Sequence, residues 1–437
     1  MHRRLVEVGG GGIRVRRLGG DRAGEVRLTR FLRNTAVRPE EMADTAARAL
    51  APRCAGRHVL AIQDTTVVSS QGGGGLYLHV MLAVDAEDDA VLGLVGGEFL
   101  HRTQGRKAVR HATPIEHKES HRWLRGAEQA ARICAAAQRV TVVADREADI
   151  FEAFAQCPAT VDLLVRATHD RALAGGARLF AQADALPVAS RTTLELPARP
   201  GRAARTVALA IRHMAAPLRA PRRIKRPAGL DPVTVHLVDV REEGGREEGG
   251  REEGGTHEEG GRATTPIHWR LLTTHPVRNG EDAQAVIAVY RRRWAIEQLF
   301  RTMKTQGFDI EGVRIEDDVP RRNLVMAALV AAVTVQQLVH ARDGRAGPDG
   351  MLRPLADAFA PADKPLLEAW CATLEGKTAR QKNPHPPGSL AYAAWVCARL
   401  GGWTGYYGKP GPLVMLKGWQ QFQAGKTAVA AWLNAHV

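Results

Sequence analysis

Apolar positions recur along this chain with two periods, and the changes of period mark changes of element. His58 to Ile62 and Val140 to Val143 are short apolar runs rich in branched residues, the pattern of buried strands. TTLELPA, RTVALAIRHM and PVTVHLVDV, all between 173 and 265, alternate as extended strands, and HWRLLTT (268–274) follows them. A helical period governs RLTRFLRN (27–34), PEEMADTAARAL (39–50), a segment carrying Trp123, and most of the chain beyond 345, where GRAGPDG and NPHPPGS (383–389) interrupt it. The Gly72 to Gly75 run predicts a turn after the first strand region; it lacks the Lys-Ser or Lys-Thr of a phosphate-binding loop.

YRRRWAIEQLFRTMK (290–304) reads as one helix. At about 100° per residue, Tyr290, Arg293, Glu297, Arg301 and Lys304 fall within an arc of roughly 80°. Ile296, Leu299, Phe300 and Met303 fall on a neighbouring arc, the natural core face. A carboxylate among cations and a hydroxyl suits a place where metal and phosphate meet. The plain alternative is a set of i,i+4 pairs on a solvated helix.

Two aspartates are predicted at strand ends. Asp64 follows the first apolar run and precedes Thr65 and Thr66; Asp145 follows the second. A helix is predicted from near Ala148, with Glu147 and Asp149 in its first turn and Ile150, Phe151 and Phe154 inward. In open α/β sheets, sites gather at strand carboxyl ends, although either aspartate alone is also a common turn residue or cap. Two such aspartates and a glutamate on a basic helix form an ordered set of oxygen donors. Phosphodiester cleavage requires an activated oxygen nucleophile and a stabilised leaving oxygen, and two Mg²⁺ ions held by three carboxylates serve both needs.

At these residues the chain resembles DDE transposases of the cut-and-paste insertion-sequence group, the Tn-five-like transposases. The likeness is carried by Asp64 in AIQDTT, Asp145 in ADREADIFE, and Tyr290-x-x-Arg293-x-x-x-Glu297-(six residues)-Lys304, matched at all four positions. Further likeness lies in GLYLHVMLAV (75–84), KESHRW (118–123), LLVRATHDR (163–171), HWRLLTT and ARLGGWTGYYGKPGP (398–412), so it runs from about Arg30 to near the C-terminus.

The resemblance implies an α/β fold: a ribonuclease-H-like catalytic core interrupted by a β-rich insertion, with helical N- and C-terminal parts. The parts are 1–50 (a shortened helical DNA-binding part), 51–172 (first half of the core), 173–265 (the insertion), 266–345 (second half) and 346–437 (helical, dimerising). It implies that Asp64, Asp145 and Glu297 are catalytic and hold two Mg²⁺ ions, for which Mn²⁺ substitutes. It implies DNA contacts for Tyr290, Arg293, Arg301, Lys304, Arg146, Arg166 and Trp269. Trp269 would stack on a base pushed out of the duplex. Arg166 would lie near the DNA backbone, or else pair with Asp162 or Asp170. Arg301 stands where the family has a lysine, which keeps charge but not geometry. The implied reaction cuts at an element end, leaves a 3′-OH, and uses it first on the opposite strand and later on target DNA. The implied partners are double-stranded DNA, at element ends and target, and a second copy of the chain in the DNA complex. No membrane is implied, and the implied location is the cytoplasm of a prokaryote, at the nucleoid.

Composition is consistent with this. The 437 residues are 44% hydrophobic with net charge +14, enough for more than one domain and suited to a polyanion. No apolar run reaches the roughly 18 residues of a membrane span; MAALVAAVTVQQLV (326–339) comes nearest and reads as a buried helix. Met1 to Arg17 lacks the apolar core of a signal peptide. Five scattered cysteines without CxxC spacing read as reduced packing residues, with no zinc expected.

Some segments stay open. REEGG occurs three times in 241–255, then THEEGG, and reads as a loosely ordered loop without catalytic role. PRRIKRP (221–227) reads equally as a DNA grip or a solvated turn. Trp370, Trp395, Trp403, Trp419 and Trp432 suit either a small core or an interface. Family members begin with a longer helical part than the about 30 residues that precede RFLRNTAVRPEEM here, which implies weaker discrimination of element ends. Two alternatives remain: a metal-dependent nuclease without strand transfer, and a non-catalytic DNA-binding remnant or inhibitor.

Overall fold

Branched and apolar side chains from Val59 to Val68 build the first strand, β1 (His58–Ser69), in the computed structural model of the chain. The structure describes residues 13, 18–69, 75–100, 114–196, 203–221, 232–244, 266–315, 317–347 and 349–436. β1 does not stop at Asp64. Its antiparallel partner β2 (Gly75–Asp85) pairs from Val59↔Asp85 to Ser69↔Gly75, so Asp64 sits mid-strand opposite Val80. The branched Thr65, Thr66, Val67 and Val68 carry the extended backbone past the carboxylate. The predicted turn at Gly72 to Gly74 lies outside the described residues.

The chain divides into two compact units. The first comprises Met1–Gln104, Arg125–Thr141 and Arg292–Val437; the second comprises Gly105–Leu124 and Val142–Arg291. In the first unit β3 (Val91–Leu100) pairs with β2, β2 with β1, and the start of β4 (Arg139–Ala144) lies beside β1, where His58 Nε2 and Thr141 Oγ1 are 2.9 Å apart. The helices α1 (Arg22–Arg33) and α2 (Pro39–Leu50) form as the sequence predicts. Asp21 caps α1 by accepting from the Gly24 N–H, and Pro39 opens α2. α2 packs on β3 at Gly93, where a Cβ would meet Leu50 Cβ at 3.3 Å.

The second unit carries β5 (Asp162–Arg166), β6 (Ser190–Leu196), β7 (Arg205–Leu218), β8 (Val233–Glu242) and β9 (His268–Thr273), in the order β5-β9-β8-β7-β6. The alternating segments are strands as predicted, and they extend the same antiparallel ladder that holds β9 and β5. α3 (Arg122–Ile133) precedes β4 in sequence, with Trp123 buried. After β4 the helix predicted from Ala148 is instead a 3-10 turn (Arg146–Ala148) followed by α4 (Phe151–Ala155). Asp149 between them is buried and leaves helical geometry, with ψ 67°. Phe151 and Phe154 are buried as expected, whereas Ile150 is only half-buried. α5 (Leu179–Ala185) packs on β7.

The stretch 290–304 is not one helix. α6 (Gly280–Arg291) ends, Arg292 and Arg293 turn, and α7 (Trp294–Lys304) begins. Arg293 keeps helical angles (φ −51°, ψ −31°), so periodicity alone does not reveal the break. Ile296, Leu299, Phe300 and Met303 are all buried, as the apolar arc requires; truncating Leu299 or Met303 to Ala costs about 2–5 kcal/mol.

α8 (Asp318–Ala341) packs against α7, β3, α2 and α1. It exceeds the sequence expectation in one respect: an 18-residue window has mean hydropathy 1.8, long and apolar enough to cross a membrane. That window is 78% buried inside the protein. Asn323 donates to the Leu32 and Val37 carbonyls, and Gln336 donates to Thr302 Oγ1 at 2.6 Å. α9 (Lys364–Leu374), α10 (Leu390–Leu400) and α11 (Pro412–His436) complete the first unit. Trp395 and Trp419 are core residues and Trp432 is 60% exposed, so the tryptophans divide between core and surface.

All five cysteines are free thiols, and all but Cys157 are buried. Burial pushes the Cys157 thiol up to about 11.

Candidate nucleic-acid cleavage site

In the first unit, β1 and α7 bring two carboxylates to one guanidinium. Arg293 Nη2 donates to Glu297 Oε1 at 2.6 Å, and Nη1 lies 3.4 Å from Asp64 Oδ2, a residue 229 positions away in sequence. The side chains of Asp64, Arg293 and Glu297 are 18%, 17% and 27% exposed. A guanidinium presents two donor edges, so one arginine holds two carboxylates that would otherwise repel. Asp64 Oδ1 also accepts from the Thr65 N–H at 2.7 Å.

The rest of the predicted polar face is partly reassigned. Lys304 donates to the Val67 carbonyl at the far end of β1 and lies 3.5 Å from Glu311, which in turn accepts from the Ser69 N–H. Arg301 is exposed and stacks over the Trp294 ring at 5.1 Å. Tyr290 lies in the last turn of α6, in the second unit, and is 7% exposed, its ring edge-on to Trp269 at 5.8 Å. Two residues expected to meet DNA therefore meet each other.

In the second unit, Asp145 ends β4 as predicted and caps the following turn, its Oδ1 accepting from the Glu147 N–H at 2.9 Å. Glu147 takes a 2.7 Å bond from Arg122, which is buried over the Trp123 ring. Arg146, Arg166, Ala167, Thr168, Phe180, His268 and Arg270 line a cavity of about 180 Å³. Arg166 pairs with neither Asp162 nor Asp170. It donates to the His268 carbonyl at 3.1 Å, while Asp162 takes Thr274 and Asp170 takes Arg178. Trp269 is not in this cavity, because neighbouring strand residues point to opposite faces and His268 and Arg270 line it.

Two buried aspartates support the cavity. Asp149 accepts from the Thr168 and His169 N–H groups (2.7 and 2.8 Å) and pairs with Arg171 at 2.6 Å. Asp239 takes His268 at 3.0 Å, Arg270 at 3.3 Å and Arg241 at 2.9 Å. Burial by itself raises the Asp239 carboxyl, but His268 and Arg241 outweigh it and hold the group below its ordinary value. The sequence reading missed Arg122, Asp149, Asp239, His268 and Arg270 as contributors. Only the alternation around Trp269, which places His268 and Arg270 on one face, offered a signal for any of them.

The first REEGG repeat is partly ordered, against expectation. Arg241 and Glu242 end β8, where Glu242 pairs with Arg205 at 2.5 Å, and Glu243 pairs with Arg191 at 2.9 Å. Residues 245–265 and 222–231, which hold the other repeats and nearly all of PRRIKRP, lie outside the described residues.

Among the described residues, no three His, Cys, Asp or Glu side chains form a group arranged to hold a metal ion. The donor chemistry still fits a hard cation. Asp64 and Glu297 are oxygen ligands, partly open to solvent, and Mg²⁺ commonly uses one or two carboxylates, completing its shell with water and substrate phosphate.

Residues 119–334 match the family model of the transposase DDE domain. The matched span contains Asp145, Glu297, Arg293 and every residue lining the basic cavity, and it begins after Asp64. The match supports a transposase DDE domain in the chain, and that family acts on DNA and typically uses divalent metals.

Proposed function

We propose that this chain is a Mg²⁺-dependent DDE transposase of the Tn-five-like, cut-and-paste group. It would cut phosphodiesters at the ends of an insertion sequence and transfer the freed strand. The observation that carries the proposal is the meeting of Asp64 and Glu297 on Arg293. Two carboxylates from distant segments gain nothing structural from a shared, partly exposed guanidinium that a simpler pair would not supply. They gain a site that can accept a cation. The order β3-β2-β1-β4 in the first unit supports a ribonuclease-H-like core, and the β6–β8 segment supports the insertion and the five-part division of the chain.

Asp64, Asp145 and Glu297 would hold the metal, with Mn²⁺ able to replace Mg²⁺. When bound, the ions activate the attacking oxygen and stabilise the leaving one. Arg293 would keep Glu297 and Asp64 aimed while a phosphate approaches. Arg146, Arg166 and Arg270 would hold strand phosphates in the cavity, and Arg301 and Lys304 would present charge along α7. Trp269 would stack on an unpaired base only if Tyr290 yields its ring edge. Catalysis would rest on positioning and charge stabilisation. Dimerisation on DNA through residues 346–437 and a nucleoid location belong to the same proposal.

The deciding experiment is Mg²⁺-dependent cleavage of a labelled duplex bearing the element's own terminus, with Glu297→Ala as control. Cleavage by wild type alone supports the proposal. A folded wild type that binds DNA without cutting it supports the alternative of a non-catalytic binder. Joining of pre-cut ends separates a transposase from a plain nuclease.

A further inference from the structure

The turn between β2 and β3 is clamped by a buried arginine. Arg353 reaches Asp85 at 2.5 Å and Asp88 at 3.0 Å, and those carboxylates are almost wholly buried. Arg57 adds a 3.0 Å bond to Asp85. With Asp85 and Asp88 fixed, Asp89 adopts a left-handed backbone (φ 62°) and presents its carboxylate outside the clamp. Its Oδ1 lies 2.5 Å from Arg292 Nε and its Oδ2 lies 2.6 Å from Arg345 Nη1.

Arg292 is where the chain enters the first unit, at the break between α6 and α7. Its carbonyl accepts from the Ala295 N–H at 3.0 Å, opening the first turn of α7. Its neighbour Arg293 spans Asp64 and Glu297. We propose that Asp89 is a positioning residue for the Asp64–Arg293–Glu297 site. By holding Arg292, it sets where α7 starts and therefore where Arg293 and Glu297 point. A partly exposed ion pair adds little to stability, so a left-handed aspartate with two arginines is better explained by what it aims. The inference rests on the proposed function for its catalytic consequence, but not for its geometric one.

Asp89→Asn tests it without unfolding the turn, since Asn has the same shape and tolerates positive φ. Hydrogen exchange at the Ala295 to Glu297 amides should quicken about tenfold, with β1 and β2 unchanged. Single-turnover cleavage should fall about tenfold, because small misplacements of reacting groups cost rate. DNA affinity and melting temperature should hold. Arg292→Gln should do the same, the double variant should be no worse than either single, and Asp89→Glu should recover part of the rate. Unchanged exchange in α7, effects that multiply in the double variant, or an equal loss of DNA affinity would each overturn the proposal. If wild type itself cleaves nothing, the proposed function falls, and the exchange measurement alone decides whether Asp89 positions α7.

Discussion

Four acidic groups near the candidate sites, two in each unit, are held in opposite ways. In the second unit, Asp149 and Asp239 are wholly buried and surrounded by donors: two backbone N–H groups and Arg171 for one, His268, Arg270 and Arg241 for the other. In the first, Asp64 and Glu297 are partly exposed and share a single guanidinium. A saturated, buried carboxylate cannot change partners without leaving several donors unpaired, so its work is architectural. A carboxylate held by one shared cation near solvent can exchange that cation for another. The contrast separates scaffold from candidate chemistry more sharply than residue type does, since all four residues are acidic.

The contrast breaks most decisively at the exchangeable pair. Glu297→Ala and Asp64→Asn should each lower metal-dependent cleavage by about a thousandfold or more, while thermal melting stays near wild type. Residual cleavage near the wild-type rate would move the chemistry elsewhere. Asp149→Ala should do the reverse. It strands Arg171 and two N–H groups in a buried place and should cost about 3–5 kcal/mol in denaturant unfolding. A cost under about 1 kcal/mol would mean that burial and saturation do not mark scaffold here. Arg166→Ala should sharpen the role of the cavity that the scaffold holds. Loss of one phosphate contact lowers DNA affinity for all sequences alike and reduces the salt slope by about one. An unchanged slope would remove the cavity from the DNA path.

The smallest effect concerns pH. Asp239 is held below the ordinary carboxyl value of 3.8, while unfolding returns it there. Its stabilisation is therefore complete above pH 3.8 and lost as pH falls through the lower folded value. Asp239→Asn should flatten the dependence of melting temperature on pH below that point. An unaltered acid limb would mean that other carboxylates govern it.

Local patterns carried much of this protein. The apolar run before Asp145, the alternation in β6 to β9, and the buried arc of Ile296, Leu299, Phe300 and Met303 all depend on neighbours within a few residues, which is why they were legible. The break at Arg292 was not legible, because both flanking segments favour helix and Arg293 keeps helical angles. Nor was the course of β1 past Asp64, since what extends that strand is hydrogen bonding to β2. The sequence by itself determined which groups could do chemistry: carboxylates, cations and the aromatic Trp269. Only the tertiary structure decided their partners. It paired Tyr290 with Trp269, saturated Asp149 and Asp239, and set Asp64 beside Arg293 across 229 positions. A partner is chosen by distance in space, and distance in space follows from the packing of the whole chain rather than from any window along it.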